Sequence, residues 1–242
     1  MKTINYEDII ILDKDTYNSG SYGTIKKCMY DGKIYALKTF KDDKYLNGKR
    51  RKLDRLGEIN NEFLLTPKFW VKKDSDKNQY LSDFCCGKDI TSCEYDFNPI
   101  KIKLLKSAKN AILSLHEEKI IHTDILSSNI MLEDNSPKII DFDNSTYGEF
   151  ATNLKHTNDF AFEFIKKYGI IPEIDIHMFN LLTVSIINNC DIFKVRTKLR
   201  CKEYGLFYNR DAKLVCDQLF LDGDTPNKDF LIDTIDETSF TI

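Results

Sequence analysis

The sequence predicts an α+β fold of two lobes, a small antiparallel β lobe followed by a larger, mainly helical one. Three observations predict it. Residues 6–40 hold apolar runs of strand length around the dipeptide Asp31-Gly32, a strong hairpin signal. From Pro99 onward apolar residues recur at three-to-four spacing, the period of a buried helix face. Within that second part, residues 120–145 set His122, Asp124, Asn129 and Asp141 around two short β-like runs. The periodicity changes near residue 84, so the expected lobes are 1–84 and 85–242, with a cleft where they join.

In chain order, "DIIILD", "GTIKKCMY" and "KIYALKTF" read as strands. Residues 42–56 read as a helix closed by Gly57. "FLLTPKFWVKK" and "QYLSDF" follow as two further strands. "NPIKIKLLKSAKNAILSLHEEK" then carries Ile102, Leu105, Ala108, Ile112 and Leu115 on one helical face, with Pro99 near its start. "EIDIHMFNLLTVSIINN" predicts a second apolar helix, central to its lobe, and "DAKLVCDQLFL" a third. Residues 143–171 form a polar segment between the first two helices.

The hydrophobic fraction of 42% suits a packed core rather than a disordered chain. A net charge of −3 provides no basic footprint for nucleic acid and no polybasic anchor for a membrane. The one dense basic run, "KRRKLDR" at residues 49–55, reads as a solvated helix face, with a docking patch as the alternative. The N-terminal apolar patch is interrupted by acidic residues and does not read as a signal peptide. The seven cysteines form no C-x-x-C pair and no zinc spacing. We therefore expect free thiols in a reducing, intracellular setting, cytoplasmic in the simplest case.

The spacing of the polar residues suggests a chemistry. Transfer of a nucleotide phosphate needs the phosphates positioned, their charge neutralised by Mg²⁺, and an acceptor hydroxyl oriented. In "NSGSYGTI", Gly20 and Gly23 allow close approach of backbone to phosphate, and Tyr22 can fold over it. A hairpin glycine by itself is an ordinary turn residue. Lys38, in "YALK", alternates with Ala36 on one strand face. Asp124 suits a base for an attacking hydroxyl. The amide oxygen of Asn129 suits Mg²⁺, as does the carboxylate of Asp141 at a strand end. Asp143 adds a second carboxylate. His122 reads as a packed residue bracing its loop.

These stretches, "NSGSYGTI", "YALK", "IIHTDILSSNIML" and "KIIDFD" in that order, resemble the eukaryotic-like protein kinase family. The resemblance runs from about residue 9 to residue 221. It implies the bilobal kinase fold, with ATP and Mg²⁺ (or Mn²⁺) as cofactors. Lys38 would pair with the α/β-phosphates, Asp124 would be the catalytic base, and Asn129 and Asp141 the metal ligands. The nucleotide would contact Gly20, Ser21, Tyr22, Gly23, Ile25 and Ala36. Asp83, Phe84 and Cys85 form the linker beside adenine, where Asp83 to Cys85 offer backbone hydrogen bonds, with Ser82 at the back of the pocket. "YLSDFCCGKDI" resembles the strand and linker between lobes, and Asp175 opens the helix that anchors the large lobe.

The chain also departs from the family pattern. Asn18 stands at the first loop glycine, Thr123 at the arginine before the catalytic aspartate, and Leu126 at a lysine of serine/threonine-directed members. Asp143 stands at the glycine after "DF", where a carboxylate would repel phosphate or bind metal. "GIIPEID" is the nearest string to A-P-E. The helix acid that should pair with Lys38 is either Asp54 or Glu58. The implied activity is ATP-dependent phosphorylation of a protein hydroxyl, of serine or threonine, with an activating partner protein possible. The alternatives are a small-molecule or saccharide kinase of the same superfamily, where "DFD" is familiar, and a nucleotide-binding pseudokinase scaffold.

Overall fold

A computed structural model describes residues 1–12, 18–19, 23–41, 46, 49–73, 76–91, 99–147, 159–187, 220–222 and 225–226. Its first part is a seven-stranded sheet. The strands are β1 (Lys2–Asn5), β2 (Ile10–Ile11), β3 (Asn18–Ser19), β4 (Gly23–Tyr30), β5 (Lys33–Phe40), β6 (Pro67–Lys73) and β7 (Asp76–Asp83). Their order is β1-β6-β7-β5-β4-β2, with β3 also on β4. β1 runs parallel to β6, and the other pairings are antiparallel. The β4–β5 hairpin closes as its dipeptide demands: Asp31 and Gly32 take φ of 47° and 73°, the doubly left-handed conformation of a tight hairpin turn.

Alternation gives this sheet two different faces. Cys28, Tyr35, Leu37, Val71 and Leu81 pack on one side with Ile4 and Ile9, closing a small core. On the other side Phe40, Trp70 and Tyr80 join the main core, which continues through the helices. That second face also carries the residues expected to meet nucleotide.

Helix α1 (Arg50–Leu56) is shorter than the predicted 42–56 span. Residues 42–45 and 47–48 of that span lie outside the described residues. Gly57 closes the helix, but with a right-handed φ of −66°. Glycine is required there for another reason: a Cβ would stand 2.8 Å from the Pro67 carbonyl oxygen and 2.5 Å from the Met1 side chain.

α2 (Pro99–Glu117) buries Leu104, Leu105, Ala108, Ala111, Ile112 and Leu115 along the predicted stripe. The side chain of Ile102 lies outside the described residues. Short β8 (Lys88–Asp89) pairs with β10 (Ile130–Glu133), which forms a hairpin with β11 (Ser136–Ile139). β9 (Ile120–Ile121) pairs with β12 (Thr146–Tyr147).

The polar segment holds a helix that the sequence reading missed. α3 (Asp159–Tyr168) buries Ala161, Phe164 and Ile165 at helical spacing. α4 (Glu173–Ile187) is buried nearly all round, from Ile174 to Val184, and takes Asp175, His177, Asn180 and Thr183 into the interior with its apolar residues. The predicted third helix is corrected at its end: Phe220 and Leu221 belong to strand β13 (Phe220–Asp222), which pairs with β14 (Thr225–Pro226). Its residues 211–219 lie outside the described residues. No helix among the described residues is long and apolar enough to cross a membrane.

The chain passes between lobes at Gly87, pressed against β10. A Cβ there would stand 1.7 Å from the Leu132 carbonyl oxygen and 3.0 Å from the Glu133 nitrogen, both backbone atoms. Backbone cannot swing aside as a side chain can. Gly87→Ala should therefore cost roughly 1–3 kcal/mol, as overpacking does, read as a lower urea midpoint. An unchanged midpoint would show that this crossing has more room than described.

Candidate active site

Cross-strand register assembles the nucleotide face. Ile25 pairs with Lys38 and Lys38 with Tyr80; Lys27 pairs with Ala36 and Ala36 with Ser82. Directly paired residues point to the same side of a sheet, so Ile25, Ala36, Lys38 and Ser82 share one face. Gly23 allows close strand packing, since a Cβ would stand 2.3 Å from the Thr39 carbonyl oxygen. Gly20, Ser21 and Tyr22 lie outside the described residues. The Asp83 side chain turns away to Lys33, 2.7 Å distant. Phe84 lies under the Lys27 ammonium, and Cys85 is buried.

The loop after β9 is held from below by α4. The Asp175 carboxylate, fully buried, accepts the His122 N–H at 2.7 Å and the Thr123 N–H at 2.8 Å. It also lies 3.1 Å from His116 Nε2. Those bonds fix Thr123 at φ 64°, an unusual conformation for a β-branched residue. His122 Nε2 donates to the Ile140 carbonyl at 2.9 Å. Asn129 Nδ2 donates to the Asp124 carbonyl at 2.9 Å and to its carboxylate at 3.1 Å. The Ile140 N–H donates to the Asn129 carbonyl, drawing Asn129 beside the end of β11. Asp124, Asn129 and Asp141 thus stand on adjoining stretches of backbone. An amide oxygen and a carboxylate are hard oxygen donors of the kind Mg²⁺ takes from a protein while phosphates and water complete its shell.

Asp141 sits at φ 63°, and its carboxylate is 38% exposed. Lys38 Nζ donates to it at 2.7 Å. Burial alone would raise the Asp141 carboxyl, but the Lys38 charge and hydrogen bond outweigh this and hold it below the usual range. Burial likewise opposes the Lys38 charge, and Asp141 and Asp143 overcome it, keeping the ammonium well above its ordinary range.

Neither acid proposed from α1 reaches Lys38. Asp54 accepts the Trp70 indole N–H at 2.7 Å, and the exposed Glu58 pairs with Arg55 at 3.1 Å. The second carboxylate on Lys38 belongs to Asp143, whose Oδ2 lies 2.7 Å from Nζ. That approach is an ion pair, outside hydrogen-bond geometry. The basic run is corrected as well. Lys52 is buried, not solvated, and its ammonium donates to the carbonyls of Asp143 and Ser145, each at 2.7 Å. Lys49 reaches the Asn144 side chain at 3.4 Å. Spacing of three on a short helix was the available signal for both lysines facing one way.

The protein kinase domain profile matches residues 14–214 of this chain. The chain belongs to the protein kinase family. Among curated relatives, calmodulin-binding receptor-like cytoplasmic kinase 3 of Arabidopsis thaliana is 26% identical over 211 residues, covering 77% of this chain and 41% of its own length. A protein of Acanthamoeba polyphaga mimivirus bearing a serine/threonine-protein kinase name is 26% identical over 200 residues, covering 74% of this chain and 36% of its own. The chain thus spans well under half the length of these relatives. In this kinase-family chain the fold is the expected bilobal α+β one, while the charge around Lys38 is distributed differently from the expectation.

Burial pushes the Lys52 amine down to about 7, partly opposed by Asp143 and Asp141 and reinforced by Lys49 and Lys38. In the unfolded chain it keeps its proton to about 10.4. Between those values the unfolded state binds more protons, so stability rises with pH. Neutral Lys52 still has two N–H bonds for its two carbonyls. Relative to Lys52→Met, the wild type should therefore gain roughly 1–3 kcal/mol between pH 6.5 and 9 in urea denaturation. Parallel stability profiles for the two proteins would refute this.

Proposed function

We propose that this chain is an ATP-dependent protein kinase, transferring the γ-phosphate to a serine or threonine hydroxyl of a protein. The observation that carries the reading is the 2.7 Å Lys38–Asp141 pair beside the linked Asp124 and Asn129. Mg²⁺-bound ATP, when present, supplies the transferable phosphoryl group and the cation that neutralises its charge. Asn129 Oδ1 and the Asp141 carboxylate would hold that cation.

The chain's own groups have distinct tasks. Lys38 offers a fixed positive charge toward the phosphates from the sheet face. Ile25, Ala36 and Ser82 line the same face and exclude water from the base. Asp124 accepts the proton of the acceptor hydroxyl at its carboxylate, and Asn129 Nδ2, 3.1 Å away, keeps that carboxylate oriented. His122 and Asp175 hold the loop in place through the backbone groups of residues 122, 123 and 140.

A second reading, phosphorylation of a small molecule, draws on Asp143 directly after Phe142. Incubation with γ-labelled ATP, Mg²⁺ and a lysate separates the two. Label on protein bands supports the first and label confined to small molecules the second. Absence of label supports a binding scaffold.

Asp141→Ala should abolish Mg²⁺-dependent turnover, a loss of at least about a hundredfold for a group that holds the charge-neutralising cation, with the fold intact by circular dichroism. Wild-type turnover in that variant removes Asp141 from the metal site. Asp124→Asn should lower kcat by about 10²–10⁴ with little change in ATP affinity, because the base meets the acceptor and not the nucleotide. A large loss of affinity would instead place Asp124 on the metal or in the scaffold.

A further inference from the structure

We infer that Asp143 is the positioning residue for Lys38, in place of any acid from helix α1. The inference rests on the nucleotide-binding reading above and concerns how that site keeps its lysine in place.

Lys38 Nζ stands between two carboxylates, each 2.7 Å away. The two differ in freedom. Asp141 is 38% exposed, so it is the one a cation can claim. Asp143 is 1% exposed and anchored on several sides. Its Oδ1 accepts the Tyr80 hydroxyl at 3.0 Å, and its backbone carbonyl accepts Lys52 at 2.7 Å. Tyr80 is itself wedged against Phe40 and Trp70, with ring centroids 5.9 and 6.2 Å away. Burial and the Asp143 carboxylate keep its phenol protonated, hence a hydrogen-bond donor.

The rigid member of the cluster is therefore Asp143, and Lys38 is tethered to it. When Asp141 turns to a cation, Asp143 still holds the lysine ammonium over the same spot. The side of α1 toward this cluster is basic, carrying Lys52 with Lys49 just before its first turn, so it contributes clamps on two loop carbonyls and an amide and no carboxylate. Near the phosphates an acid with no partner would repel nucleotide. Paired with Lys38, it fixes the charge that attracts nucleotide.

The test is a double-mutant cycle on the full chain, with Mg-ATP binding measured by titration calorimetry for wild type, Asp143→Asn, Lys38→Met and the double variant. Asp143→Asn should weaken binding about fivefold in the wild-type background and less than twofold on Lys38→Met, since residues acting through one group are not additive. Equal losses in both backgrounds would mean a metal-ligand or purely structural role and overturn the inference. Tighter binding by Asp143→Asn would mean that Asp143 acts by repulsion, and overturns it too. Urea stability of the nucleotide-free proteins gives an independent reading of the pair, with the double variant expected to lose less than the two single losses added. If Asp143→Asn does not fold, Tyr80→Phe takes its place in the cycle. A loss of two- to threefold that vanishes on Lys38→Met is then expected, and no loss or an undiminished one overturns the proposal. A wild-type chain that binds no ATP sinks the kinase reading itself. Binding by wild type with additive losses sinks this inference alone.

Discussion

One buried carboxylate sets the geometry on which the site depends. Asp175 enters from α4, a helix buried nearly all round, and takes two consecutive backbone N–H groups, those of His122 and Thr123. An ionised acceptor makes stronger hydrogen bonds than a neutral one, most of all away from water. That strength holds Thr123 in a conformation a β-branched residue otherwise avoids. From there the order spreads. The Thr123 hydroxyl donates to the Asn144 carbonyl at 3.0 Å, and the His122 ring donates to Ile140. The loop bearing Asp124 and the segment bearing Asp141 are thereby tied to each other and, through α4, to the core.

The segment from Asp143 to Ser145 shows how completely a short stretch can be specified. Its three successive carbonyls accept bonds from Lys52, from Thr123 and again from Lys52. Its one buried carboxylate meets Lys38 and Tyr80. Side chains from the sheet, from α1 and from the loop after β9 thus converge on it. Buried polar groups are costly unless each finds a partner, and here the partners come from both lobes. The lobes are joined at this point by charge and hydrogen bonding as well as by apolar packing.

What the sequence made legible was local or strongly periodic. The Asp31-Gly32 turn depends on two adjacent residues, and α4 on a dense apolar pattern from Ile174 to Ile187, so both were plain. Lys38, Asp124, Asn129 and Asp141 stood out by residue type, order and spacing, and the structure pairs Lys38 with Asp141 and Asn129 with Asp124. The hidden features depend on partners distant in the chain. A lysine in a basic run is usually solvated, and only the position of the Asp143 and Ser145 carbonyls makes Lys52 an interior residue. Asp143 read as a carboxylate that would repel phosphate or bind metal, because its counter-charge, Lys38, comes from a strand far back in the chain. Helix α3 was masked by the polar residues around it, although Ala161, Phe164 and Ile165 carry its period.

The bonds of the site also have a temporal consequence. Lys38 and Asp141 are 103 residues apart, Lys52 and Asp143 are 91 apart, and Asp175 reaches back 53 residues to His122. The β4–β5 hairpin closes over only two residues and can form early. Contacts of high sequence separation come late, because the chain entropy of closing the loop is lost before they form. On a ribosome adding about 5–20 residues per second, Lys38 waits roughly 5–20 seconds before Asp141 has been synthesised. The strand bearing Lys38 is thus synthesised well before either carboxylate that meets it, Asp141 or Asp143.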